Sequence, residues 1–300
     1  MLYPTKLEAV LLRRSFVLPA AATALCLGLA VQVLAFPVSV VDDRGTEIVL
    51  DARPERIVAI GALYAQIVVD LGAVDRLVAV GETADNPPEV LALPSAGPTF
   101  APNVEVILGF EPDLVLGATD WGGERPALEA AGVVVLTTPL LTGVTSIFES
   151  VRAIGTALGA DEEAARLNGR IATEIVEAES LVLEAPAVRV AFLYAASNPL
   201  HAAGSGAIEH ELILRAGGEN VFADVEGFLP VGIEDIVGRN PEVIFTAPSH
   251  IENITSNPLL QSVSAVADGR VFGIRASVAA STRVAQALRS IIEALHGVAP

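Results

Sequence analysis

Cysteine, lysine and tryptophan are almost absent from this chain of 300 residues. Cys26, Lys6 and Trp121 are each the single example of their type. With one thiol the chain can form neither an internal disulfide nor a metal site built from several cysteines. The fold must therefore rest on its hydrophobic core, and a hydrophobic fraction of 52% is enough for one large domain or two modest ones.

Basic residues are also scarce compared with acidic ones. The chain has 18 Lys and Arg against 36 Asp and Glu, which gives a formal net charge of −18 at pH 7. So acidic a surface disfavours nucleic acids and anionic lipids as partners. It would suit a salty exterior or a basic docking partner.

The N-terminus combines two arginines with a long apolar run. Arg13 and Arg14 precede the run 16–35, which ends at 33–35 in a small-x-small pattern typical of a cleavage site. We predict that residues 1–35 are an export signal, which makes the mature protein periplasmic or otherwise extracytoplasmic. The two arginines and the residues after them resemble a twin-arginine signal, and general secretion stays open.

A retained membrane anchor is the alternative to a cleaved signal, because about twenty apolar residues can span a bilayer. Pro19, Gly28 and the cleavage pattern favour removal. The residues before Cys26 do not form a lipid-attachment box, so a lipoprotein is disfavoured. Removal of residues 1–35 would change the net charge from −18 to −20 and leave no thiol.

An internal repeat suggests two related lobes. Residues 105–115 (EVILGFEPDLV) recur 129 positions later as residues 234–244 (EDIVGRNPEVI). Each copy predicts the end of a helix followed by a buried strand, since Pro112 and Pro241 cannot continue a helix and favour an extended residue before them. Two such α/β units would leave a cleft, which is a preferred site for small molecules.

Strand and helix patterns alternate on both sides of a long helical section. Apolar runs predict strands at 57–60, 77–80, 114–116, 133–136, 190–194, 243–246 and 270–274. We interpret the stretches between 82 and 104, from 118 to 123 and from 195 to 206 as loops, and we expect a final helix over about 282–295. Parallel βαβ units follow from this alternation.

The helical section divides the chain. Leu167, Ile171 and Ile175 recur at helical spacing, and no strand pattern occurs from 145 to 184. We predict an N-terminal lobe at 36–144, connecting helices at 145–186 and a C-terminal lobe at 187–300. The alternative is an ordinary surface helix of one continuous domain.

Sequence motifs of enzymes are missing. The chain has no nucleophile elbow, no P-loop, no HExxH and no cysteine pair. The sequence Gly204-Ser205-Gly206 before a predicted helix could cradle an anion, but the other parts of a phosphate site are absent. We therefore do not expect an enzyme. A sensory or adhesion module held outside the cell by an uncleaved N-terminus is the second alternative, and a free Phe36 would argue against it.

Short segments along residues 55–297 match, in order, the pattern of one known family. They are Arg56-Ile57-Val58, Leu71-Gly72-Ala73, Asp75-Arg76-Leu77-Val78, Asn103-Val104-Glu105, Glu111-Pro112-Asp113-Leu114-Val115, Ala130-Ala131-Gly132-Val133, Ala216-Gly217-Gly218-Glu219-Asn220-Val221-Phe222, Asn240-Pro241-Glu242-Val243-Ile244 and Asp268-Gly269-Arg270-Val271. The chain resembles the substrate-binding proteins of ABC importers, in the group joined by one rigid helix that captures iron-siderophore, haem or cobalamin.

The resemblance implies an α/β fold of two Rossmann-like lobes with mostly parallel sheets, joined by one long helix, with a ligand cleft between the lobes. It implies an exported monomer that passes a small-molecule metal chelate to a permease dimer with its ATPase, and no nucleic-acid partner. No cofactor or resident metal is expected.

The leading acids of the repeat match positions that dock onto permease arginines in this family. They are Glu105 and Glu234. Two acids held near helix N-termini would present fixed negative charges to a basic partner. The alternative is that each only stabilises its own helix, by about 0.3 to 1 kcal/mol.

Three residues bear on the ligand through the resemblance. Haem and cobalamin binders often have a Tyr where this chain has Asn86, and an amide is a poor substitute for a phenolate on ferric iron. Trp121 and the Gly-Gly pair after it resemble the Trp-x-Gly-Gly loop of cobalamin binders, with the intervening residue missing. With Phe100, Trp121 is expected to offer an aromatic surface to a large flat ligand. Core packing is the alternative for Phe100. We expect a siderophore or cobalamin ahead of haem.

Four polar residues of the C-terminal lobe complete the candidate site. His201 and His250 could reach a metal or a ligand carboxylate. Arg275 and Arg283 could pair with carboxylate, phosphate or catecholate groups through forked donors. The alternatives are plain surface histidines and structural salt bridges.

Overall fold

The structure is a computed structural model that describes residues 36–83, 85–99, 101–118, 124–194 and 199–297. The predicted export signal, Phe100 and Trp121 lie outside the described residues. In the part of the chain that is described, no helix has the length and apolar character needed to cross a bilayer.

The N-terminal lobe is built on a parallel sheet of five strands. An antiparallel hairpin of β1 (Val38–Val41) and β2 (Glu47–Leu50) comes first. The sheet contains β3 (Ile57–Ala59), β4 (Leu77–Glu82), β5 (Ser95–Pro98), β6 (Leu114–Ala118) and β7 (Val134–Thr138), in the order β5-β4-β3-β6-β7. Its helices are α1 (Ala62–Asp70), α2 (Val104–Gly109) and α3 (Glu124–Ala130). The apolar side chains of β3 and the start of β6 are fully buried, as expected of strands covered on both faces.

Two helices connect the lobes. They are α4 (Val144–Leu158) and α5 (Asp161–Ser180), and Gly159 ends the first in the left-handed conformation, with φ of 65°. A methyl group added to Gly155 would lie 2.4 Å from the Cβ of Ala164, so a glycine is required where α5 approaches α4. The predicted stripe at Leu167, Ile171 and Ile175 is buried.

The C-terminal lobe is built on a mixed sheet. Its strands are β8 (Val188–Tyr194), β9 (Leu200–Ala203), β10 (Gly218–Asn220), β11 (Phe228–Val231), β12 (Val243–Thr246) and β13 (Val271–Gly273). The order is β11-β9-β8-β12-β13, with β10 paired to β8. Its helices are α6 (Ile208–Arg215), α7 (Ile233–Arg239), α8 (Ile251–Thr255), α9 (Ser264–Ala267), α10 (Ala276–Ala279) and α11 (Val284–His296).

The long helix α5 packs against elements of both lobes. It contacts α4, which itself lies against β1, β7 and α1, and it contacts α11 of the C-terminal lobe. The predicted α/β fold with two lobes and mostly parallel strands is confirmed, and the connection contains α4 as well as the long helix.

Two of the predicted loops contain edge or short strands. The stretch 82–104 includes β5, whose Gly and Pro mask the strand pattern; Pro is tolerated there because β5 is at the edge of its sheet. The stretch 195–206 includes β9, which pairs antiparallel with both β8 and β11. The interpretation of these stretches as loops throughout is therefore wrong at β5 and β9.

The repeat takes the same form in both lobes. In each copy a short helix, α2 or α7, leads into a buried strand, β6 or β12. The residue before each proline, Glu111 or Asn240, has φ of 48° or 41°. The predicted extended geometry is wrong here, because the chain reverses at the end of the helix and a left-handed residue makes that turn.

Candidate ligand-binding cavity

A cavity of about 680 Å³ lies between the two lobes, within one compact unit of residues 35–300. In the N-terminal lobe, the lining residues Thr83, Thr99 and Pro139 directly follow β4, β5 and β7, and Gly61 lies two residues after the end of β3. The carboxyl ends of parallel strands are where open α/β sheets bind ligands. The described lining residues are 61–64, Thr83, Asp85, Thr99, 139–142, Tyr194, Gly206, Ile208, Glu209, 226–228, Ser277 and Ala280.

Most of the cavity wall is apolar or aromatic. The ring of Tyr194 lies 5.4 Å from that of Phe228, edge to face. Phe228 and Leu140 come from different lobes and are 47% and 58% exposed. Exposed side chains of this size that line a cavity offer contact area to a large, partly apolar ligand.

A buried carboxyl group is hydrogen-bonded to a tyrosine in this wall. The hydroxyl of Tyr194, at the end of β8, donates to Oε1 of Glu209, in the first turn of α6, over 2.6 Å. Glu209 is only 2% exposed, and its Oε2 has no protein hydrogen-bond partner among the described residues. Burial raises the pKa of Glu209 above the ordinary carboxyl value, although the Tyr194 hydrogen bond opposes the change. Burial and the nearby carboxyl group also raise the pKa of Tyr194.

Every Asp, Glu, Arg, Lys or His that lines the described part of the cavity is an acid. These residues are Asp85, Glu209 and Glu226. Asp85 belongs to the N-terminal lobe and accepts a hydrogen bond of 3.0 Å from the hydroxyl of Ser277 in the C-terminal lobe. This contact ties the two sides of the cavity together.

The described residues that were predicted from the sequence to contact the ligand are absent from the wall of this cavity. Asn86 follows the lining residue Asp85, but its Nδ2 donates to the carbonyl of Gly81 over 2.8 Å, so the amide holds the loop. His201 is opposite Tyr194 in the pairing of β8 and β9 and is half-buried, on the same face of the sheet.

The remaining predicted residues are distributed as follows. His250 ends a 3-10 turn, Pro248–His250, where its buried Nδ1 has no hydrogen-bond partner in the described part of the chain. Arg275 is exposed and lies two residues before the lining residue Ser277. The guanidinium of Arg283 donates to the Gln66 side chain on α1, which is the structural contact left open as the alternative to ligand binding. None of the five described candidates lines the cavity, and their contact with a ligand stays a prediction.

The two glutamates predicted to dock occupy matching places. Glu105 is in the first turn of α2 and Glu234 in the first turn of α7, and both are exposed. Asn103 caps α2 by accepting a hydrogen bond of 3.1 Å from the N–H of Val106. Within the described residues, no group of three or more His, Cys, Asp or Glu side chains is placed to hold a metal ion.

The pair of Tyr194 and Glu209 was not predicted from the sequence. Tyr194 ends an apolar strand and Glu209 starts a helix after a Gly-Ser-Gly sequence, so each has an ordinary local explanation. The signal that could have found the pair is an acid in the first turn of a helix that follows a strand ending in a tyrosine.

Comparison with known proteins gives one family and several relatives. The family described as "Periplasmic binding protein" matches residues 57–278. A "Cobalamin-binding protein" of Halobacterium salinarum is 29% identical over 220 residues, which are 71% of this chain and 59% of that protein. The match thus spans less than two thirds of the relative's length.

Two solved structures are similar along most of their length. The "Periplasmic heme-binding protein RhuT from Roseiflexus sp. RS-1 in apo form" has a TM-score of 0.75 and 26% identity, and the likeness covers 80% of this chain and 97% of that one. A structure titled as an "ABC-type Fe3+-hydroxamate transport system" from Saccharomonospora viridis has a TM-score of 0.73 and 25% identity, and covers 87% and 99%. With this fold, this cavity and a family match over residues 57–278, the chain belongs to the periplasmic binding protein family.

Proposed function

We propose that this protein captures a metal chelate, an iron-siderophore or cobalamin, outside the cytoplasm and delivers it to an ABC transporter permease. The observation that carries the proposal is the cavity of about 680 Å³ at the carboxyl ends of the N-terminal strands, walled by both lobes. Its size is typical of a site for a bulky small molecule. The relatives and structural neighbours are named for cobalamin, haem and ferric hydroxamate, which supports this class of ligand.

The proposed mechanism is capture and handover, with no covalent chemistry. Contact with the ligand removes the apolar wall from water, and this burial lowers the free energy of the complex. Release follows when the loaded protein, a monomer, docks on the permease dimer with its ATPase. We assign docking to Glu105 and Glu234, because two exposed acids at equivalent helix starts offer fixed negative charges to a basic surface.

Location outside the cytoplasm rests on the N-terminal sequence. Residues 1–35 combine two arginines, an apolar run and a cleavage pattern, which together favour export by a signal peptide. Detection of Phe36 as the N-terminus of the mature protein would support cleavage, and an intact Met1 would favour an anchored protein.

Haem is the alternative ligand, and the tyrosine of the C-terminal wall argues against it. A phenol binds ferric iron as the phenolate. The hydroxyl of Tyr194 donates to Oε1 of the buried Glu209 over 2.6 Å, and a carboxyl group as partner does not favour the phenolate. The resemblance would place a tyrosine ligand at position 86, and this chain has Asn86 there instead.

Calorimetric titration with chelates tests the proposal. We expect cyanocobalamin or a ferric hydroxamate to bind the purified protein more tightly than hemin. Thr142 is exposed and lines the cavity, while Thr145 is exposed three residues later and does not. Thr142→Trp should therefore block binding, whereas Thr145→Trp should leave it unchanged. Failure of every chelate to bind, or equal loss in both variants, would refute a ligand site in this cavity.

A further inference from the structure

The cavity wall has an unbalanced charge. Asp85, Glu209 and Glu226 supply three carboxyl groups, and no Arg, Lys or His is among the described lining residues. The short stretches between residues 84 and 300 that the structure does not describe also contain none of these three residue types. The two arginines predicted to contact a ligand do not neutralise these carboxyl groups. Arg283 is hydrogen-bonded to Gln66, and Arg275 does not line the cavity.

Glu209 differs from the other two acids because it is buried and only one of its carboxyl oxygens has a hydrogen-bond partner among the described residues. Its Oε1 accepts from Tyr194, and its Oε2 has no protein partner among the described residues. A buried polar atom of this kind is costly to leave without a hydrogen bond. A ligand that brings an N–H group to Glu209 would supply the missing partner.

An anionic group is the wrong partner for this wall. Where Glu209 is ionised, an anion beside it faces a like charge, and the apolar surroundings strengthen that repulsion. Asp85 and Glu226 add to the repulsion from opposite lobes. A carboxamide or an ammonium group meets no such penalty, since each can donate to a carboxyl oxygen.

We propose that the cavity selects metal chelates without net negative charge, and that Glu209 is the specificity-determining residue that hydrogen-bonds an N–H group of the ligand. The inference rests on the proposed function, because it narrows the class of chelate that the same cavity accepts. Chelates that present amide or ammonium groups are favoured, and those that present carboxylates or catecholates are excluded.

Matched pairs of ligands test this on the unaltered protein. Cyanocobalamin is compared with its monocarboxylic acid, in which one side-chain carboxamide has become a carboxylate. Ferrioxamine B, which carries a free ammonium group, is compared with its N-succinyl derivative, which has the same iron core and a carboxylate instead. For the pair that binds, calorimetry at neutral pH should show the anionic member at least about tenfold weaker.

Variants then assign the selection to Glu209. Glu209→Gln keeps an acceptor for Tyr194 and removes the acid, so the ratio of the two dissociation constants should fall by at least about threefold. Glu252→Gln changes an exposed acid on α8 that does not line the cavity, and it should leave the ratio unchanged. Circular dichroism checks that both variants are folded.

The outcomes separate the two proposals. Equal binding of the neutral and anionic members, or tighter binding of the anionic one, overturns the inference and leaves the proposed function standing. An unchanged ratio in Glu209→Gln overturns the role of Glu209. If no member of either pair binds the unaltered protein, the proposed function fails and the inference fails with it.

Discussion

Asp113 and Glu242 hold equivalent places in the two lobes, since each carboxylate accepts a hydrogen bond from the backbone N–H of an arginine at the start of a central strand. The distances are 3.0 Å from Arg56 and 2.9 Å from Arg189. The guanidinium of each arginine also donates to a carbonyl at the end of the repeat helix in the same lobe, which is α2 for Arg56 and α7 for Arg189. The repeat in the sequence is thus a repeated set of contacts that joins helix, turn and strand.

The first prediction concerns this contact. Asp113→Ala removes the acceptor of the N–H groups of both Glu55 and Arg56 and should lower the free energy of unfolding by about 1 to 2 kcal/mol. Chemical denaturation measures the change. Asp51→Ala, at an exposed position directly after β2, is the control and should cost less than about 0.5 kcal/mol. Equal effects would mean that the repeat contact does not stabilise the lobe.

A buried ion pair fastens the N-terminal hairpin to α3. Nη2 of Arg125 lies 2.6 Å from Oδ2 of Asp42, and the two side chains are 3% and 0% exposed. Asp42→Asn leaves the buried guanidinium without this charge partner and should cost about 3 kcal/mol. The exposed pair of Arg53 and Glu55, at 3.9 Å, is the control, and Glu55→Gln should change stability by less than about 0.5 kcal/mol.

The stabilisation from the pair of Asp42 and Arg125 should be lost at low pH. Burial alone would raise the pKa of Asp42, but hydrogen bonds from Arg125 and from the N–H groups of Thr46 and Arg44 outweigh it and hold the pKa below 3.8. The stabilisation is present above 3.8 and is lost as the pH falls through the lowered pKa. The difference in stability between the parent protein and Asp42→Asn should therefore shrink in strong acid. A difference that stays constant with pH would contradict this origin.

Glu209 should change the pH dependence of stability in the direction opposite to that of Asp42. Because burial raises its pKa above 4.5, the folded state holds a proton that the unfolded state has released, and stability falls as the pH rises from 4.5 through the raised value. Glu209→Gln removes this loss, so the variant should gain stability relative to the parent protein across that interval. Thermal unfolding at a series of pH values measures the gain. The reverse trend would show that Glu209 is charged and stabilised in the fold.

Docking by the repeat acids predicts a defect in transport that spares binding. Changing Glu105 and Glu234 together to Gln should reduce uptake of labelled ligand in cells at least about tenfold, because both fixed charges are lost. The purified double variant should bind the ligand as the parent protein does, since neither acid lines the cavity. Glu89→Gln with Glu252→Gln, at two exposed positions elsewhere, is the charge-matched control. Normal uptake by the double variant would assign docking to other residues.

The stiff connection predicts a small closure. The helix α5 packs on α4 and on α11, and hydrogen bonds from Thr282 to Asp70 at 2.5 Å and from Ser277 to Asp85 at 3.0 Å already join the lobes. Small-angle scattering before and after ligand addition should therefore give nearly the same radius of gyration. A large compaction on binding would mean that these contacts break or that α5 bends.

The elements that sequence could predict are those whose pattern is local. Continuous apolar runs such as Leu114 to Leu116 mark strands covered on both faces, and helical spacing marks α5. The edge strand β5 escaped because Gly97 and Pro98 resemble a turn. Its strand conformation is set by its pairing with β4, which is a tertiary contact.

The cavity was harder to predict than the fold. Its existence followed from two lobes, but its polar group depends on the side chains of Tyr194 and Glu209 meeting across a strand and a helix. Arg283 shows the converse case, since a guanidinium that could equally serve a ligand is bound to Gln66 of the other lobe. Sequence supplies the donors and acceptors, and only the packed structure decides which of them meet.

Thr142 combines exposure, a place in the cavity wall and a position two residues before α4 begins. Cys26 is the chain's single thiol and lies before residue 36. In a protein that begins at Phe36, a cysteine introduced at Thr142 would therefore be the only thiol for maleimide coupling. A bulky maleimide reagent coupled there would obstruct the cavity, so chemical labelling would close the ligand site at a chosen moment.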